Sequence, residues 1–289
     1  MEQKICIITG ANSGIGKQAA CLIAQQQVHV IMACRNLGRA EKACQDILSV
    51  DSSMSLEIMI LDMADNISIK QFSERFAQKF DHLDILIHNA ADFDISRKKP
   101  AYTPQGIESV WATNHLGPVM LTEALMPLLG KSTDGRIITI SSKGLAMLPF
   151  TKVDTSDCEF RKRRYSVAKA YYQSKMAQEM YTVWLARQLK GTSVTANCIR
   201  VGAVEIDINR YPDLPGFLKK LYSMKKKLSI SPKAMAEIYA LLALENQFAS
   251  SNGVIFDEHG KPLKALASKY SPPSIEDVMK ITKTYLQGN

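Results

Sequence analysis

The 289-residue sequence predicts an α/β fold, one doubly wound parallel sheet of about seven strands flanked by helices. Three observations predict it. A β-branched run at Ile5–Ile8 passes into a glycine-rich turn, Gly10–Gly16, and then into an apolar helical segment, Gln18–Ala24. That is how a strand buried on both faces enters a crossover helix. Strand-like and helix-like segments then alternate up to the strand at Leu83–Ile87, which implies right-handed crossovers and parallel strands. Third, Gly10–Gly16, Arg35, Asp62 and Asn89 all fall where strands end, at the carboxyl edge where such sheets bind ligands.

The first turn reads T-G-x-x-x-G-x-G across Thr9, Gly10, Gly14 and Gly16, with Asn12, Ser13 and Ile15 between. Glycine admits positive φ and close backbone approach, and the unpaired N–H groups of the following helix attract an anion. An ordinary tight βα turn is the plainer reading, and the strand-before, helix-after context favours a dinucleotide phosphate. The second strand, Val28–Ala33, ends in Cys34–Arg35–Asn36. A carboxylate at this strand end accepts from a ribose 2′-hydroxyl, whereas arginine suits a 2′-phosphate. Arg35, with Arg39 one turn on, therefore points to NADP(H) over NAD(H).

A helix over Gly38–Ser49 and a strand over Leu56–Leu61 lead to Asp62–Met63. Asp62 suits the adenine edge or the cap of the next helix, Ile67–Phe80. Strand four, Leu83–Ile87, runs into His88–Asn89–Ala90–Ala91. A long helical stretch over Thr103–Leu129 carries Gly106, Gly117 and Pro118 as interruptions. Asn114 inside it marks a backbone irregularity, functional or simply satisfying a kink. Strand five, Arg136–Ile140, ends at the hydroxyls of Ser141 and Ser142, and Lys143–Arg164 shows no period and reads as a long surface loop. Tyr171 and Lys175 then share one face at the head of a helix reaching about Leu189. An ammonium beside that phenol is expected to lower its pKa from the ordinary value of about 10, giving a proton donor or acceptor near neutrality. Tyr172 lies off that face.

Strand six is expected at Ser193–Ile199, followed by Val201–Gly202, a helix at Ala234–Leu244, a seventh strand at Gly253–Phe256 and a terminal helix at Ile275–Leu286. Composition is ordinary for a globular chain, 46% apolar and 22% charged, and no apolar run reaches the roughly 18–20 residues that span a bilayer. The first strand begins within five residues of Met1, which leaves no room for a signal peptide. Six cysteines without a C-x-x-C pair suit reduced thiols rather than disulfides or a metal site. A cytoplasmic location is the expectation. The net charge of +8 gathers at Arg161–Arg164, Lys219–Lys220 and Lys225–Lys227. Without interleaved aromatics these runs read as solvated faces rather than as a specific nucleic-acid surface.

Taken together, "ITGANSGIGK", "ACRN", "NHLGPVMLTE", "SSKG", "YYQSKMAQEMYT" and "SNGVIFDEHGK" resemble the short-chain dehydrogenases/reductases, most closely their retinol-dehydrogenase-like branch. The resemblance spans nearly the whole chain. It implies a Rossmann-type fold and a tetrad of Asn114, Ser142, Tyr171 and Lys175. Tyr171 would exchange a proton with the substrate oxygen, Ser142 would hold that oxygen, Lys175 would tune Tyr171 and bind the nicotinamide ribose, and Asn114 would position a water. Gly10, Asn12, Ser13, Gly14, Ile15, Gly16, Arg35, Asn36, Asp62, Met63, Asn89, Ala90, Tyr171, Lys175, Val201 and Gly202 would bind the cofactor. Three positions depart from the family pattern: Ala91 replaces a glycine, Val201–Gly202 replaces P-G, and Ile206 replaces the threonine that bonds the nicotinamide carboxamide.

The segment at about 203–230 would cover the substrate, and its apolar residues among lysines suit a lid, a membrane-surface contact or a helix packed on the body. The expected activity is NADP(H)-dependent interconversion of an alcohol and a carbonyl on an apolar, retinoid- or lipid-like small molecule. The alternatives are a C=C reductase and a non-catalytic NADP(H)-binding or interaction protein. Homo-oligomers are common in the family and so are expected by resemblance.

Overall fold

In the computed structural model, which describes residues 3–148, 150–204, 229–263 and 270–287, seven parallel strands form one sheet. They are β1 (Ile5–Thr9), β2 (His29–Cys34), β3 (Leu56–Ile60), β4 (Ile85–His88), β5 (Gly135–Ser142), β6 (Val194–Val201) and β7 (Ile255–Phe256). Their order is β3-β2-β1-β4-β5-β6-β7. The chain winds outward from β1 through β2 to β3, then returns to the other side of β1 with β4. The switch point therefore lies between β1 and β4, where the crevice of such a sheet opens.

Side-chain alternation along β1 builds both layers. Ile5 and Ile7 face a core with Phe72 and Phe76 of α3 (Asn66–Lys79), Leu121 and Leu125 of α5 (Gly117–Leu129) and Tyr181 of α6 (Val167–Gln188). Cys6 and Ile8 face the other core, with Ala19 and Ile23 of α1 (Gly14–Ala24), Ala40 of α2 (Leu37–Leu48) and Met235 and Tyr239 of α7 (Pro232–Leu244). All five residues of β1 are buried. Each large apolar side chain so placed contributes about 1.5–3 kcal/mol. The last helix, α8 (Pro272–Gln287), buries Ile275, Val278 and Met279 and lays the Lys283 ammonium 5.3 Å from the Trp184 ring centre on α6.

Several sequence expectations are corrected. The helix expected over Thr103–Leu129 starts only at Ser109. Gly106 takes φ +76°, a left-handed conformation that ends regular structure, and the Glu108 side chain then accepts from Trp111 N at 2.9 Å to cap the short helix α4 (Ser109–Trp111). A π turn over Ala112–Leu116 joins α4 to α5. Asp62 does not cap α3; Asp65 does, accepting from Ile67 N at 3.0 Å.

The expected surface loop Lys143–Arg164 is partly built. A 3₁₀ turn occupies Lys143–Met147, and beyond it Asp157 gathers the backbone N–H groups of Arg161, Lys162 and Arg163 on its carboxylate. Cys158 and Phe160 are buried beneath. Arg161 pairs with Glu159 and Arg163 with Asp154 and Asp157, so two of the four cations in that run are neutralised locally. The six cysteines are free thiols.

Most of the expected covering segment, including Ile206, lies outside the described residues. The chain departs and returns side by side: Val204 forms a parallel bridge with Ile230, and Ile230 N donates to Ala203 O at 2.8 Å. Both points lie at the carboxyl end of β6. No helix among the described residues is long and apolar enough to cross a membrane.

Candidate active site

The glycine turn packs directly onto the end of β4. Gly10 has φ +68° and Gly14 φ +54°, a region that side chains disfavour. A Cβ on Gly10 would lie 3.0 Å from Ala90 Cα, and one on Gly16 would collide with the Asn89 amide and stand 2.6 Å from Gly10 O. Asn89 is the clamp. Its Nδ2 donates to Thr9 O (3.0 Å) and Gly10 O (3.3 Å), while Ala90 N donates to Thr9 Oγ1 at 3.0 Å. Tyr239, fully buried on α7, donates to Asn89 Oδ1 at 3.5 Å. Burial pushes the Cys34 thiol up to about 11, against the lowering effect of the nearby Ala11 and Asn12 backbone N–H groups.

This turn fits a phosphate. Ser13, the N-cap of α1, makes no side-chain bond to the helix, so the first-turn N–H groups near Gly14, Ile15 and Gly16 stay open. A Cβ on Gly14 would meet nothing within 4 Å, which leaves room for the ligand.

At the end of β2, Arg35 is 76% exposed and lies 3.7 Å from Asp62 Oδ2. An exposed pair of this kind is worth under about 1 kcal/mol, so Arg35 is available to an incoming anion. The Asn36 side chain is spent on capping α2, accepting from Arg39 N at 2.9 Å. Asp62 also accepts from Ala64 N at 2.9 Å, and the neighbouring Met63 carbonyl presses on Gly117, where a Cβ would collide.

Three of the four expected catalytic side chains meet at the ends of β5 and α6. Ser142, the last residue of β5, comes close enough to the Tyr171 phenol to lower its pKa, and accepts from Gly144 N at 3.2 Å. Lys175 is buried, with Nζ donating to Ile140 O at 2.7 Å and lying 5.6 Å from the centre of the Tyr171 ring. Asn114 is set back in the π turn. Its Oδ1 accepts from Asp92 N (2.7 Å), and its Nδ2 donates to Asp92 O (3.1 Å) and to Ser174 Oγ (3.1 Å). Ser174 in turn donates to Tyr171 O at 2.7 Å, so Asn114 reaches the site through the α6 backbone.

The expected lowering of the Tyr171 pKa is reversed. Burial raises it first, Tyr172 adds to that, and only the neighbouring Ser142 hydroxyl lowers it. Burial also lowers the Lys175 ammonium, to about 8, and its hydrogen bond goes to the Ile140 carbonyl rather than to the phenol. Desolvation is the largest cause of both shifts.

The sequence reading missed Phe93, whose ring centre lies 4.3 Å from that of Tyr171, and the Asp92, Ser174 and Tyr239 partners described above. Ser174, inside the Tyr171–Lys175 interval, was the one with a visible signal. Val201 pairs with Ser142 across β5 and β6, and a Cβ on Gly202 would lie 2.9 Å from Ile230 Cδ1. Ala91 is exposed and its φ is not positive, so its methyl strains nothing there.

Comparison with known proteins gives the same architecture. Residues 4–152 match the short chain dehydrogenase family. Human retinol dehydrogenase 13 is 32% identical over 280 residues, covering 95% of this chain and 80% of that protein. Mouse retinol dehydrogenase 12 is 36% identical over 240 residues, covering 83% and 73%. Among solved structures, an uncharacterised protein from Mycobacterium paratuberculosis superposes with a TM-score of 0.69 at 27% identity, covering 97% of this chain and 94% of that one. A short chain dehydrogenase from Shigella flexneri, complexed with NADP, superposes with a TM-score of 0.67 at 24% identity, covering 90% and 98%. With the glycine turn at the switch point and the Ser142–Tyr171–Lys175 cluster beside it, the chain belongs to the short-chain dehydrogenase/reductase family and is retinol-dehydrogenase-like.

Proposed function

We propose that this oxidoreductase uses NADP(H) to interconvert an alcohol and a carbonyl on an apolar small molecule, with Tyr171 as the acid/base. The observation that carries the reading is the junction of the Ser142 hydroxyl and the Tyr171 phenol above the buried Lys175, at the strand ends beside the glycine turn. The nicotinamide dinucleotide, when bound, supplies or takes up the hydride. Gly10–Gly16 and the α1 N-terminus would hold its phosphates, and Arg35 would meet the 2′-phosphate. Asp62, Met63, Asn89, Ala90, Val201 and Gly202 form the remaining walls.

Ser142 orients the substrate oxygen through its hydroxyl. Tyr171 passes its phenolic proton to that oxygen, or takes one from it in the reverse direction. The raised pKa of Tyr171 keeps it protonated at neutral pH, which suits the reductive direction. Lys175, lowered to about 8, remains largely charged near neutrality and stabilises the phenolate as it forms. Asn114 holds the loop after β4 against α6, which keeps Phe93 on the ring of Tyr171. Phe93 and Tyr172 flanking the phenol support an apolar substrate, in line with relatives named for retinol.

The test follows NADPH absorbance with a panel of apolar aldehydes and ketones in the wild type, Tyr171→Phe and Ser142→Ala. Acid–base catalysis by such a group contributes about 10²–10⁴-fold, so both variants should lose turnover on that scale while still binding NADPH. Full turnover in Tyr171→Phe would remove Tyr171 from the reaction, and tight NADPH binding without turnover across the panel would favour a non-catalytic cofactor-binding role.

A further inference from the structure

Beneath the Ser142–Tyr171–Lys175 cluster lies a buried ion pair with no place in the reaction as described. Glu179 is fully buried on α6, and Arg200 at the end of β6 is 7% exposed. The guanidinium grips the carboxylate with both arms, Nε to Oε1 at 2.7 Å and Nη2 to Oε2 at 2.8 Å. Tyr270, also buried, donates its hydroxyl to Glu179 Oε2 and accepts from Arg200 Nη2 at 3.0 Å. Ser141 donates to Glu179 Oε1 at 2.5 Å and lies 3.4 Å from the Lys175 carbonyl oxygen.

A buried ion pair is a poor source of stability, because desolvating two charges offsets their attraction. This one is placed where it touches the site three times. Tyr171, Lys175 and Glu179 follow at intervals of four along one side of α6, so Glu179 stands one turn beyond the lysine. Ser141 is the chain neighbour of Ser142. Arg200 precedes Val201, which pairs with Ser142 across the sheet.

We propose that Glu179, clamped by Arg200 and Tyr270, is a positioning residue that fixes the Ser141–Ser142 strand end and, from one helical turn away, helps hold the proton on the Lys175 ammonium. This rests on the reading of Lys175 and Tyr171 given above. The groups facing Lys175 are Tyr171 and Glu179 on its own helix, His88 on β4, and Cys198 and, through Glu179, Arg200 on β6. Cys198 and Glu179 both favour the charged lysine, but burial pushes the Cys198 thiol up to about 12 and leaves it neutral, so Glu179, the carboxylate paired with Arg200, is the anion among them. Removing its charge leaves the ammonium in a desolvated site with less to hold its proton.

The experiment measures NADPH affinity by nucleotide fluorescence from pH 6 to 10, which needs no substrate. Wild type and Lys175→Met come first: loss of the pH dependence in Lys175→Met assigns the inflection to Lys175, and its persistence would overturn the reading of Lys175 without bearing on Glu179. Glu179→Gln is then expected to move the inflection to lower pH by about one unit. Because Glu179→Gln strands the Arg200 charge and can fail to fold, Glu179→Leu/Arg200→Met removes both charges at similar volume; with the opposing Arg200 cation gone as well, its inflection should move the same way but by less. Tyr270→Phe keeps both charges and should leave the inflection in place. Folded Glu179 variants, judged by circular dichroism and thermal melting, that titrate like the wild type would overturn the proposal.

Discussion

Replacing Gly16 by alanine probes the glycine turn at its tightest point. The new Cβ would collide with Asn89 Nδ2 and lie 2.6 Å from Gly10 O and 3.2 Å from Ala11 Cα. The backbone carbonyl cannot yield without moving the turn, so the Asn89 amide must swing away. It then gives up its hydrogen bonds to Thr9 O and Gly10 O, each worth about 1 kcal/mol. The total of about 2 kcal/mol agrees with the ordinary cost of overpacking. Expressed at the phosphate site, it weakens NADPH binding about 30-fold. Gly14→Ala is the matched control, since its Cβ meets nothing and only the left-handed φ is strained, at about 1 kcal/mol. Asn tolerates that φ, so Gly14→Asn should recover part of the loss. Titration of NADPH fluorescence with parallel thermal melting reads all three. Gly16→Ala binding NADPH within twofold of the wild type, or Gly14→Ala proving the more damaging, would refute the reasoning.

Two further outcomes are expected. Arg35→Asp places a second carboxylate beside Asp62 and removes the cation offered to a 2′-phosphate, so NADPH affinity should fall at least tenfold while NADH affinity holds or rises; an unchanged ratio of the two dissociation constants would remove Arg35 from cofactor selection. His88 and His115 are buried neutral with their pKa values pushed down to about 3, so the unfolded state takes up the proton first. Stability is then complete above about pH 6.5 and lost as pH falls towards 3, by about 2 kcal/mol per histidine between pH 6.5 and 5. His115→Leu should flatten that loss in urea titrations at pH 7 and pH 5, because Thr282 keeps its own donation to Val278 O and no donor is stranded. An acid slope equal to that of the wild type would count against the buried-neutral assignment.

Much of the fold is legible because its signals are local. A β-branched run, glycines that admit positive φ, and a helix start together specify the first βα unit without reference to anything distant. The Tyr171–Lys175 pair is likewise a statement about four residues of one helix. By themselves the residues determined that a glycine-rich turn follows the first strand and that Tyr171 and Lys175 share one face at the head of a helix.

Only the tertiary structure decided how those groups behave. Whether Tyr171 moves up or down depends on how much water Phe93, Tyr172 and the sheet exclude, and that packing comes from residues far apart in the chain. The Asp62–Arg35 pair, the role of Asp157 in folding the Lys143–Arg164 stretch, and the grip of Arg200 and Tyr270 on Glu179 each join separate elements or depend on how one loop closes. Spacing in sequence carries no information about such contacts. Periodicity reports which face a residue occupies, while desolvation and ion pairing are set by what the finished fold brings against that face.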